Sequence, residues 1–80
     1  MLTELMTAEK VVGAKQAKRA LRDGRAARLY LAQDADPRVL QPLVQDAVNR
    51  GVPLEQVPTM QALGQACGIS VGAAVAVLLR

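Results

Sequence analysis

Eighty residues make a single domain, at a length where folding buries only about 60% of the surface that the unfolded chain exposes. With 51% hydrophobic and 21% charged residues the composition is globular and excludes a disordered tail, and Tyr30 as the only aromatic leaves an aliphatic core. The net charge of +3 is unevenly spread: residues 1–28 carry seven lysines and arginines against three carboxylates, residues 29–80 three against four, a local basicity suited to a polyanion.

Thr3 to Val11 reads as a first helix, with Thr3 as its cap and Leu2, Leu5 and Met6 on one side. Gly13 interrupts it. A second helix runs from about Ala14 to Asp23, and in it Lys15, Lys18, Arg19 and Arg22 recur at i, i+3, i+4, i+7, which gathers them into one stripe. Ala14, Ala17, Ala20 and Leu21 form the apolar back of that helix, and Gly24 is placed to end it.

Arg28 to Ala32 is short, apolar and rich in strand formers, and reads as a buried strand. Asp34 and Asp36 follow. Two neighbouring carboxylates could serve as an acid/base pair or a metal site, but Asp36-Pro37 has the pattern of a helix N-cap with proline in the first turn, and that reading is preferred. The helix it starts spans Pro37 to Asn49, with Val39, Leu40, Leu43, Val44, Ala47 and Val48 on its apolar side. Pro42 would cost about 3 kcal/mol in a helix interior, so either the start lies near Gln41 or the first turn is irregular.

Gly51 ends this helix, and Val52 to Val57 gives a short strand whose prolines place it toward a sheet edge. Thr59 caps a helix through about Cys67, with Met60, Leu63 and Ala66 turned inward and Gly68 closing it. Ala73 to Leu79 reads as a central strand, because it is short, valine-containing and free of polar residues. Alternating helices and strands predict an α/β fold, a three-layer α/β/α sandwich with a small mixed sheet flanked by helices.

Catalysis needs a tuned acid, base or nucleophile, and this chain has no His and one Cys, which excludes an enzyme and a metal site and leaves no cofactor expected. Gly13 follows a helix instead of a strand, so no nucleotide-type phosphate loop is present and no small-molecule substrate is expected. Cys67 cannot form an internal disulfide and reads as a buried thiol in a reducing, cytoplasmic setting. The N-terminus lacks the apolar run of a signal peptide, and the stretch from Ala73 to Leu79 is too short for a bilayer, so no membrane partner is expected.

Nucleic acid remains. With one aromatic, base stacking is not the main tool, whereas Lys15, Gln16 and Arg19 at a helix end can meet phosphates and base edges. The groove of A-form RNA admits such an element only where the duplex is kinked or widened, while B-form DNA is already open. Kinked RNA, duplex DNA and an acidic protein surface all suit the stripe.

Four stretches narrow the choice. Gly13-Ala14-Lys15-Gln16 with Arg19 and Gly24, Leu31 to Pro37, Val52-Pro53 with Val57, and Leu63 to Ala74 resemble, in order and spacing, the ribosomal protein L-seven-Ae family of small α/β/α proteins, in its short bacterial form. The resemblance implies a monomer that binds and stabilises kink-turns in structured RNA, such as ribosomal RNA or a riboswitch. It implies that Gly13 and Ala14 approach the RNA backbone, and that Lys15, Gln16 and Arg19 face the sheared G·A pairs and nearby phosphates. It also implies that Val57, Pro58, Thr59 and Met60 form a loop over a flipped-out nucleotide. Lys18 and Arg22 join the candidate site from the stripe alone. Lys15 and Gln16 stand where the archaeal pattern has Asn and Glu, and glutamine donates as well as accepts where glutamate only accepts.

Overall fold

The structure is a computed structural model in which residues 9–80 are described. Its elements are β1 (Lys10–Val12), α1 (Ala14–Arg22), β2 (Ala26–Ala32), α2 (Pro37–Asn49), β3 (Leu54–Val57), α3 (Met60–Ala66) and β4 (Val75–Leu79). The strands form one mixed sheet in the order β1-β4-β2-β3, in which β4 runs antiparallel to both β1 and β2, while β3 runs parallel to β2. The three-layer α/β/α arrangement is the one the sequence predicts.

Side chains alternate along the central strands and divide the interior in two. Leu29, Leu31, Val75 and Val77 face α1 and α2, whose Ala17, Ala20, Leu21, Leu43 and Ala47 complete that core. Tyr30, Ala32 and Ala76 face the other way, toward α3 with Leu63 and Cys67. The register of β2 against β4 shifts between Ala26 and Arg28. Because a bulge adds one residue to a strand, Ala26 stays in the α1 core while Arg28 falls on the Tyr30 side.

The first predicted helix is corrected where it can be seen. Thr3 and the residues up to 8 lie outside the described residues, and Lys10–Val12 is a strand, not a helix end. Val11 and Val12 are β-branched, pack on opposite faces into the two cores, and pair in register with Val77 and Ala76, so sheet pairing outweighs local pattern. Strand β4 occupies a central place as expected, but starts at Val75, and β3 lies at the edge as expected, but starts after Pro53.

Helix α2 starts at Pro37 and runs unbroken through Pro42, so neither a late start nor an irregular first turn is needed. The Asp36 carboxylate accepts a hydrogen bond from the Arg38 backbone N–H at 2.9 Å, which fixes the start. Pro42 lies on the solvent side, where the carbonyl left without its donor can turn toward water. The helix docks through Leu40, Leu43, Val44 and Ala47. Val39 and Val48 flank that stripe and are exposed, Val48 by 59%, contrary to the expected apolar side. Met60 is likewise exposed, because it opens α3 at the rim of the sheet instead of lying over its face. Among the described residues no helix is long and apolar enough to cross a membrane.

Candidate nucleic-acid interface

Strand direction decides which segments meet. The C-terminal ends of β1, β2 and β3 and the N-terminal end of β4 lie at the same edge of the sheet. That edge therefore gathers Gly13 and the start of α1, the Gln33–Asp34 turn, the Val57–Met60 loop and the segment leading into Val75. With strands about 4.8 Å apart, three spacings separate β1 from β3, so the start of α1 and the Val57–Met60 loop flank a rim about 14 Å wide.

Gly13 makes the turn from strand into helix. Its φ of 105° lies in the region that L side chains rarely adopt, and its N–H donates to the Val75 carbonyl at 3.0 Å, which anchors the helix start to the central strand. No side chain caps α1, so the N–H groups of Ala14, Lys15 and Gln16 carry the unfilled donors of a helix N-terminus. Such a terminus attracts anions, and α1 has no acidic residue in its first turn.

Lys15, Gln16, Lys18, Arg19 and Arg22 are all exposed, and Ala17, Ala20 and Leu21 are buried behind them, as the sequence spacing requires. Lys15 and Gln16 sit at the rim, with Arg19 one turn below. Arg22 lies about 10 Å further along the axis than Lys15, at 1.5 Å per residue, and its guanidinium meets Asp23 at 3.4 Å. Lys15 and Gln16 thus stand at the rim, Lys18 and Arg19 about one turn below it, and Arg22 away from it. Among the described residues no carboxylate pairs with Lys15, Lys18 or Arg19.

Across the rim, Val57 is buried and closes β3, while Pro58, Thr59 and Met60 are exposed. The Thr59 hydroxyl accepts from the Ala62 N–H at 3.0 Å, and Asp34 accepts from the Met60 N–H at 2.8 Å. The neighbouring Gln33 amide donates to the Gln56 side chain at 2.7 Å, and the Gln33 N–H to the Val57 carbonyl at 2.8 Å. The first of these caps α3, and the other three fasten the loop to the end of β2.

The segment after Gly68 lies against the start of α3. A Cβ on Gly64 would run into the Val71 carbonyl, and one on Gly72 would come within 3.2 Å of the Met60 Cβ. The Ala73 N–H donates to the Met60 carbonyl at 3.0 Å. This packing presents Val71, 67% exposed, beside Met60, 37% exposed, an apolar pair on the loop side of the rim. Sequence reasoning missed Asp34 and Val71. The Asp34 contact spans 26 residues and leaves no spacing signature, but an apolar residue between Gly68 and Gly72 was a signal, since loop positions usually take polar residues.

Cys67 is buried below α3. Desolvation pushes its thiol above the ordinary range, against a smaller opposing pull from Lys10, so it stays protonated and unreactive.

Residues 2–80 match the family model of the Ribosomal protein L7Ae/L30e/S12e/Gadd45 family. The chain is 41% identical over 76 residues to an RNA-binding protein of Geobacillus sp. strain WCH70, covering 95% of this chain and 93% of that one. It is also 41% identical over 70 residues to the RNA-binding protein YbxF of Geobacillus stearothermophilus, covering 88% and 85%. Among solved structures, the 15.5kD RNA binding protein of Giardia lamblia superposes with a TM-score of 0.90 at 29% identity, covering 99% of this chain and 70% of that one.

Proposed function

The chain belongs to the Ribosomal protein L7Ae/L30e/S12e/Gadd45 family, and on that premise we propose that it is an RNA-binding protein that recognises and stabilises kink-turns in structured RNA, such as ribosomal RNA or a riboswitch. The observation that supports this best is the rim itself, where a cationic helix start and an apolar loop stand about 14 Å apart on one rigid sheet edge.

A tight kink crowds phosphates together and unstacks bases. The helix start supplies what the phosphates need: open N–H groups at Ala14, Lys15 and Gln16, approach to the backbone at Gly13, and the charges of Lys15, Lys18 and Arg19, with Arg22 further along. Gln16 can donate to one base edge and accept from another, which suits the two partners of a sheared G·A pair. On the other side Val57, Pro58, Thr59 and Met60, with Val71 beside them, offer an apolar cover for a nucleotide turned out of the stack. The rigid spacing between the two sides would favour an RNA already bent to that shape over a straight duplex.

Titration of a kink-turn duplex and a straight duplex of equal length tests the reading. The kink-turn should bind more tightly, and Arg19→Ala should weaken that binding by about 1–3 kcal/mol if Arg19 meets a base edge. Equal affinity for the two duplexes, or tighter binding of straight B-form DNA, would overturn it. Crosslinking in the source cells followed by sequencing of the bound RNA identifies the target.

A further inference from the structure

Charge is not uniform along the rim. Lys15, Lys18 and Arg19 belong to α1, which follows β1. At the ends of β2 and β3, about 10–14 Å across the sheet from β1, the charged side chains nearest the rim are Asp34, Asp36 and Arg38. Arg38 is spent on Asp36, which it meets at 3.0 Å, and among the described residues no cation pairs with Asp34. That end therefore carries negative charge and repels the phosphate backbone that α1 attracts.

Gln33 and Gln56 stand beside Asp34. Gln56 pairs in register with Leu31, whose side chain enters the core under α1 and α2, so Gln56 lies on that face of the sheet. The Gln33 amide donates to Gln56 Oε1 at 2.7 Å, which holds Gln33 on the same face, and both residues are exposed. This bond consumes one hydrogen and one lone pair. It leaves the Gln33 carbonyl oxygen as an unused acceptor and the Gln56 amino group as an unused donor, and turning both amides round leaves the same set. A phosphate oxygen only accepts, so a phosphate here would leave the Gln33 oxygen unmet and would face Asp34 as well. A base edge sets a donor beside an acceptor, and a ribose 2′-hydroxyl is both.

We infer that the Gln33–Gln56 amide pair is a second contact point for RNA, and that it takes a group that both donates and accepts, a base edge or a ribose 2′-hydroxyl, while the phosphates stay at α1. This rests on the kink-turn reading above. The internal bond already holds each amide against the other, so less side-chain freedom is lost when RNA meets them. The rim then has a polarity: backbone is gripped beside β1, and sugar or base is read beside β2 and β3, which sets the direction in which the RNA lies across the domain.

The test compares the parent with Gln33→Met/Gln56→Met, which keeps side-chain length and removes every amide donor and acceptor, on one kink-turn RNA. Thermal melting confirms that the variant is folded, and it should bind about three- to tenfold more weakly, the net worth of about one hydrogen bond. The RNA is then altered one nucleotide at a time, by 2′-deoxy substitution, by a base analogue lacking one edge group, or by a methylphosphonate in place of a phosphate. One deoxy or analogue position should weaken binding to the parent by a similar factor and leave binding to the variant unchanged, because the contact is already gone. A deoxy position identifies the ribose, an analogue the base. A pair that only braced β3 against β2 would lower affinity with no coupling to any single position. Parent-like affinity of the variant, coupling to no position, or coupling to a methylphosphonate alone overturns the inference. Failure of the kink-turn reading shows elsewhere, as equal binding of kinked and straight duplexes by the parent.

Discussion

The carboxylate of Asp34, in the turn after β2, accepts a hydrogen bond from the backbone N–H of Met60 at 2.8 Å and so joins the ends of two neighbouring strands to the first residue of α3. The bond satisfies one donor at the start of a seven-residue helix and fixes the height of the loop above the sheet.

Asp34→Ala should therefore act twice. Loss of the cap lowers stability by about 1 kcal/mol, read from a urea midpoint. Freeing the loop should also weaken kink-turn binding several-fold at a temperature where both proteins are folded. Thr59→Ala removes a cap within α3 without touching the link to β2, so it should cost similar stability and less affinity. If the two variants lose affinity equally, the link to β2 does not position the loop.

Much of this was legible because it is local. The basic stripe, the Asp36 and Thr59 caps and the positions of β3 and β4 follow from residue type and spacing, and so does the exposure of Lys15, Gln16 and Arg19 in the first turns of α1. What escaped depends on contacts distant in sequence. Val11 and Val12 are drawn into a strand by a partner more than sixty residues away, and Met60 faces solvent because the chain enters α3 at the sheet edge. The Asp34–Met60 bond and the presentation of Val71 are likewise products of packing, and only the glycines at 64 and 72 hinted that two segments come close there.

Gly64 marks that close approach most sharply. Any Cβ at this position meets the Val71 carbonyl, a backbone atom that can move only with its whole segment. Gly64→Ala should cost about 3 kcal/mol through overpacking, despite the better helix propensity of alanine. Circular dichroism through a urea titration measures it. A variant as stable as the parent would mean that the segment carrying Val71 shifts freely, and its apolar contact with RNA should then weaken as well.

Pro42 offers the opposite sign. It sits inside α2, where it withholds one helix hydrogen bond, yet its ring faces solvent and fills no space in either core. Pro42→Ala restores the donor and removes the clash with the preceding turn. Part of the gain is offset because proline also restricts the unfolded chain, so stability should rise by about 1–2 kcal/mol. The melting temperature should increase with no change in RNA affinity, since the position lies away from the rim. A decrease would mean that the restriction proline places on the unfolded chain outweighs the restored hydrogen bond.

Asp36 gives the pH dependence. The Arg38 side chain, and after it the Arg38 backbone N–H, hold the Asp36 carboxyl below its ordinary range. The guanidinium meets it at 3.0 Å. Because the folded state has the lower pKa, the ionised cap contributes stability that is fully present above the unfolded value near 3.9 and is lost as pH falls through the folded one. Asp36→Asn keeps a capping oxygen but removes the charge. The parent should therefore melt above this variant at about pH 7, and the gap should narrow at strongly acid pH, as the parent carboxyl takes up its proton through the lowered folded pKa. Melting curves of both proteins at the two pH values decide it: a gap of constant size would show that the charge on Asp36 adds nothing to the cap.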